Sequence, residues 1–414
     1  MRFSRITKHE TRNTAFFRLI LALLLLAAAV WAGHLIRDRR LAPSDLETWF
    51  TDPEPIGRRS GDPLARLGID PADVRGGGSS GGVRVVGLTN YWNDARAVVT
   101  HTADDSSPRI PDALAILDRY GVKATFFVST FHAEQLWPVL ERAVNNGHEV
   151  GSHTRTHPCR FPPNRWFCTL AYSNDELIGS RDRILAQVDQ PHVWSFAYPC
   201  GQCPEYAFVR DKLRHAGYLV ARIYPDELIG GQLAPGMNTW DRRPYRALYT
   251  QAVQNKGGIS PEGRTDVALI NGAFDEVYEA GGIYNFLTHP NWLDYEPGSY
   301  YERHIRHIAR RGDVWYVPMG PLYAYRTVVE RTRVHPLDDA RFAVTHDLSP
   351  RVFPNSVTIE FDTGGREVAS VRTARGELAP RSAGPSYGWD DEFYRLDNGR
   401  LLITVQPDTV LEIR

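Results

Sequence analysis

Between residues 83 and 333, short β-branched and aromatic runs alternate with helical ones, and this rhythm constrains the fold more than any other feature of the chain. Strands are expected at Ala97 to His101, Val122 to Ser129, around Val150, Val193 to Tyr198, Leu219 to Tyr224, Ile283 to Thr288 and Val314 to Val317. Pro111 opens a helix that Gly121 stops, a second runs from Ala133 to Asn146, and Ser173-Asn174-Asp175-Glu176 reads as a capping box for a third reaching about Val188. Further helices fall at about 204–216, 299–311 and 320–332. Strands alternating with helices imply parallel pairing through right-handed crossovers. Seven units in about 250 residues suit a distorted (β/α) barrel better than an open sheet, with chemistry at the carboxyl ends of the strands.

The rhythm stops near 334. Ser356 to Phe361, Glu367 to Thr373, Leu401 to Gln406 and Thr409 to Ile413 read as strands, with Gly364-Gly365 and Asn398-Gly399 as turns, so 334–414 is expected to be a small all-β, sandwich-like accessory domain against the barrel. At the other end, Leu19 to Gly33 carries no charge and lies between Arg2, Arg5, Lys8, Arg12, Arg18 and Arg37, Arg39, Arg40. Residues 1–36 therefore suit an N-terminal membrane anchor or a cleaved signal, the long basic flank favouring an anchor, and either exports the remainder to the periplasmic or extracellular face. Residues 37–82, broken by five prolines and ending in Gly76-Gly77-Gly78-Ser79-Ser80-Gly81-Gly82, read as a flexible linker to the 83–333 domain. With 48 Lys+Arg against 49 Asp+Glu, no basic excess points to nucleic acid, and 42% hydrophobic with 11% aromatic residues excludes a disordered chain.

Three segments place ionisable residues at strand ends: Val98 to Asp105, His148 to His157 and Tyr284 to Pro290. Asp104-Asp105 suits a helix cap or a catalytic pair. His153 and His157, four apart, would share one side of a helical turn and chelate an ion. Two His and one carboxylate leave positions open for water and substrate, the requirement of a catalytic zinc and equally of a non-haem iron oxygenase.

Taken in order, Thr102-Ala103-Asp104-Asp105, Gly147-His148-Glu149-Val150-Gly151-Ser152-His153-Thr154-Arg155-Thr156-His157-Pro158, Phe196-Ala197-Tyr198-Pro199-Cys200-Gly201 and Leu287-Thr288-His289-Pro290 resemble the polysaccharide deacetylases of the NodB-homology type, carbohydrate esterase family 4. The resemblance implies metal ligands Asp105, His153 and His157, a base at Asp104 and an acid at His289, with zinc the expected metal. It also implies an oxyanion or substrate role near Cys200 and the adjacent Tyr198, while Trp292 suits stacking on a sugar ring or packing at the barrel mouth equally. The family's third motif usually begins with an arginine that orients the base, and Ala197 stands there, leaving Arg242 or Arg243 as partners to consider; Trp240-Asp241 is the candidate for the fourth motif.

The expectation is thus an exported, membrane-tethered, metal-dependent hydrolase that removes N- or O-linked acetyl groups from an envelope or extracellular polysaccharide. The alternative is a non-catalytic carbohydrate-binding or scaffolding protein that retains the fold. Four cysteines in an exported chain favour disulfides over a four-Cys zinc site. Cys159 with Cys168 and Cys200 with Cys203 is the local pairing; a cross-link between the two loops is the alternative.

Overall fold

The computed structural model describes residues 58–75, 82–204, 206–222, 263–381, 391–397 and 399–414. The apolar run Leu19 to Gly33 and residues Trp240 to Arg243 lie outside them. Among the described residues no helix is long and apolar enough to cross a membrane.

After β1 (Arg84–Leu88) come the seven expected strands: β2 (Ala97–Asp104), β3 (Ala124–Val128), β4 (Glu149–Ser152), β5 (Ser195–Ala197), β6 (Val220–Arg222), β7 (Ile283–Thr288) and β8 (Val314–Tyr316). They form one sheet in the order β6-β5-β4-β3-β2-β7, with every pair parallel and β8 beside the start of β2. The result is a curled half-barrel rather than a closed ring, with β6, β7 and the short β8 each paired on one side only among the described strands. All eight residues of β2 are buried, as a β-branched strand covered on both faces must be.

The helices Ile110–Tyr120, Trp137–Asn145, Ala207–His215, Gly263–Glu279 and Tyr300–Ile308 belong to the crossovers. Gly121 closes the first at φ 73, a left-handed cap that glycine adopts freely. The expected capping-box helix differs: Asp175–Gly179 is a π-helical turn leading into Ser180–Leu185. Ser173 Oγ accepts from Glu176 N at 3.4 Å, but the Glu176 carboxylate leaves its own helix for the loop after β4.

The β region is larger than the sequence suggests. Its strands are β9 (Arg333–Pro336), β10 (Arg341–Thr345), β11 (Val357–Asp362), β12 (Val371–Thr373), β13 (Gly376–Glu377), β14 (Ala379–Pro380), β15 (Phe393–Asp397), β16 (Arg400–Val405) and β17 (Thr409–Ile413). Two five-stranded sheets result, β1-β11-β16-β15-β14 and β13-β12-β17-β10-β9. β1, which lies inside the stretch 83–333 expected to form the barrel domain, pairs antiparallel with β11 and so belongs to the sandwich instead. The expected linker also ends early: Asp62 caps the turn Pro63–Arg66, Leu64 is buried, Arg58 bridges to Leu348, and Arg59 and Arg66 pair with Asp408.

The helix Met319–Arg331 joins the two regions. Its first seven residues are all buried, and Met319 and Leu322 share one apolar cluster with Phe127, Trp194 and Trp315 of the half-barrel and Phe342, Ile359 and Leu401 of the sandwich. Gly320 is required here, because a Cβ at that position would overlap the Glu149 carboxylate.

Candidate metal centre and its flanking acid–base pair

Asp104 is the last residue of β2, His153 follows β4 directly, His289 follows β7 directly and Arg222 ends β6. The carboxyl ends of four strands thus converge. Asp105 does not cap the next helix, which starts at Ile110 with Arg109 as its cap residue.

Asp105 Oδ1 lies 3.7 Å from His153 Nε2 and 3.5 Å from His157 Nε2, and the donor atoms of the three residues all fall within 4.8 Å of one another. The two imidazoles do not share a helical turn. Thr154 and His157 have φ of 66° and 57°, which fold the segment into a tight loop. Thr154 Oγ1 accepts from His157 N at 3.0 Å, and the Glu176 carboxylate accepts from Arg155 N and Thr156 N at 2.9 Å each and from the Thr156 hydroxyl at 2.6 Å. His153 Nδ1 bonds the Ala197 carbonyl at 2.8 Å, which fixes the tautomer and leaves Nε2 free toward Asp105. Burial holds the His153 imidazole below its ordinary pKa, in the neutral form that ligation needs. Two imidazole nitrogens and one carboxylate oxygen, with Asp105 and His157 only partly buried, fit a catalytic divalent ion of the zinc kind.

Asp104 is buried and ion-paired with Arg222, itself 1% exposed. Burial alone would raise the Asp104 carboxyl, but the charge and hydrogen bond of Arg222 outweigh it and hold the group below its usual value. His289 Nε2 stands 4.0 Å from Asp104 Oδ2, and burial depresses its pKa. The Trp292 ring stacks on His289 at 4.2 Å and 19° and remains 41% exposed.

Two disulfides stitch the loops around this centre: Cys159–Cys200 and Cys168–Cys203. The local pairing expected from the sequence is therefore replaced by the cross-link, because the loops after β4 and β5 lie side by side while the sequence spacing favours neighbours. Asp105, Cys200 and Cys203 also adopt positive φ, at 70°, 53° and 71°, concentrating backbone strain at the site. The Tyr198 ring, by contrast, packs against Tyr172 and Phe196 in the core rather than facing the centre. Arg222 went unassigned, although its strand was expected.

Fold and site together define an α/β half-barrel with a two-histidine, one-carboxylate centre at the mouth formed by its strand ends. The sequence agrees: residues 93–221 match the polysaccharide deacetylase family model, which over that stretch supports the resemblance to the NodB-homology, carbohydrate esterase family 4 type. A peptidoglycan-N-acetylglucosamine deacetylase of Bacillus cereus is 34% identical over 67 residues, covering 16% of this chain and 24% of that protein. A chitooligosaccharide deacetylase of Bradyrhizobium is 44% identical over 72 residues, covering 17% and 33%. The chain thus matches no more than a third of the length of these curated relatives. Among solved structures, the family 4 carbohydrate esterase from Streptomyces lividans in complex with acetate is 18% identical, with 52% of this chain and 86% of that one covered and a TM-score of 0.35. A peptidoglycan deacetylase from Bacillus subtilis is 16% identical, with 56% and 93% covered and a TM-score of 0.37.

Proposed function

We propose that the chain is an exported, metal-dependent carbohydrate deacetylase that hydrolyses N- or O-linked acetyl groups on an envelope or extracellular polysaccharide. The observation that carries this reading is the grouping of Asp105, His153 and His157 donor atoms within 4.8 Å, with Asp104 and His289 beside them. Zinc held by these three residues would acidify a water molecule to a pKa of about 7 and polarise the acetyl carbonyl.

The chain's own groups move the protons. Asp104, kept ionised by Arg222, accepts a proton from the attacking water. His289, neutral beforehand and 4.0 Å from Asp104, receives that proton through a bridging water and delivers it to the departing amine or alkoxide. Trp292 holds the His289 ring in plane and offers an exposed aromatic edge to a sugar. The backbone around Cys200, pinned by its disulfide to the loop of His157, would hold the oxyanion. Polysaccharides related to peptidoglycan or chitin are the substrates suggested by the relatives' names. Two disulfides suit an oxidising compartment, and the apolar run Leu19 to Gly33 would tether the chain to the membrane.

Acetate release from a panel of acetylated saccharides tests this. Release is expected to vanish with chelator and return with zinc; His153→Ala should lose both zinc and turnover, whereas Asp104→Asn should keep zinc and lose turnover. Release that persists in chelator would overturn the metal role, and no release from any substrate by the zinc-loaded protein would overturn the activity.

A further inference from the structure

We propose that Arg222 is the positioning residue for Asp104, doing from β6 what the family pattern would have an arginine do at position 197 on β5. The inference rests on the deacetylase reading and names the group that makes the base competent.

The register of the two strands carries it. Ala197 and Arg222 are direct partners in the parallel pair β5·β6, each the last residue of its strand, and Tyr198 N bonds the Arg222 carbonyl at 2.9 Å. Register partners in a sheet share a level and a face, so a long side chain rooted at either one enters the same part of the barrel mouth. In this chain the small residue is at 197 and the long one at 222. The guanidinium reaches Asp104, 118 positions earlier in the chain, and lies over the Phe127 ring at 5.1 Å. Both partners of the pair are buried, at 1% and 3% side-chain exposure, so the Nη2 to Oδ1 bond restrains the carboxylate to one orientation instead of the many a surface pair would sample. The division of labour is complete: position 197 orients ligand His153 through its carbonyl, and position 222 orients Asp104 through its side chain.

The experiment compares the full chain with Arg222→Ala and with the double variant Ala197→Arg/Arg222→Ala, using a chitin-type N-acetylglucosamine oligomer and, separately, zinc titration and thermal melting. Arg222→Ala is expected to lower kcat by about 100-fold with KM changed by less than about threefold, the signature of a lost group that acts on the base rather than on binding. Zinc affinity should stay within about threefold of the parent. Returning an arginine at 197 should recover at least about tenfold in kcat, which a merely structural ion pair would not produce. Should Arg222→Ala fail to fold, Arg222→Gln takes its place in both comparisons. A kcat within about threefold of the parent, or a loss matched by an equal loss of zinc affinity and not reversed by Ala197→Arg, would overturn the assignment of Arg222 while leaving the deacetylase reading intact. A parent that releases no acetate overturns that reading first, and this inference with it.

Discussion

Glu149 lies inside the half-barrel, four residues before the first histidine of the site, and its carboxylate accepts from Thr125 Oγ1 at 2.7 Å, Ser195 Oγ at 2.8 Å and Gly320 N at 2.8 Å. Burial pushes it up to about 7 despite those three bonds. The folded protein therefore holds this proton more tightly than the unfolded chain does. Its contribution is fully present below about pH 4.5 and fades as pH rises through 7, by about 3 kcal/mol in all. Buried His101, pushed down to about 3, acts in the opposite sense as pH falls below 6.5, so the comparison that isolates Glu149 is between parent and Glu149→Gln. Denaturant unfolding from pH 4.5 to 7.5 should show the parent losing stability relative to the variant; a constant difference would refute the raised value. At this scale the site was largely legible: Asp104, Asp105, His153, His157 and His289 are fixed by residue type and order along the chain. Arg222 was not, because its tie to Asp104 is a side-chain contact from β6 to the end of β2, across strands that are not neighbours and between segments 118 residues apart, which no local pattern encodes.

The segment from β4 to Ser180–Leu185 works as one element. The i, i+4 histidines suggested a helix; positive φ at Thr154 and His157 instead makes a loop, and the Glu176 carboxylate satisfies the N–H groups that a helix would have paired. The same glutamate was legible only as a capping residue, since its long-range partners are backbone groups with no sequence signature. Removing it with Glu176→Ala should weaken zinc binding by about 10- to 100-fold without touching a ligand, as outer supports of metal sites commonly do. Isothermal titration of the metal-free protein would check this, and unchanged affinity would show that the disulfides alone hold the loop.

At the scale of the whole molecule, strand and helix order was legible because hydrophobic periodicity is local, whereas the start of the barrel region, placed at 83, was not. β1 reads like any short barrel strand until its partner β11 is known, and that partner lies more than 250 residues away. The helix Met319–Arg331 seals the half-barrel on one side and the sandwich on the other. A fragment of residues 93–333 should therefore expose Trp315, Leu322 and their neighbours and aggregate, while residues 58–414 should run as a discrete folded species on size exclusion. A monomeric 93–333 fragment with an undiminished melting temperature would contradict a shared core. The crossing strand β1 also bears on inheritance. Because one sheet of the sandwich takes strands from both sides of the catalytic region, recombination at a single breakpoint can neither add nor delete that sheet intact. Its ancestry should track that of the barrel, rather than showing the mix-and-match history of a carbohydrate-binding cassette.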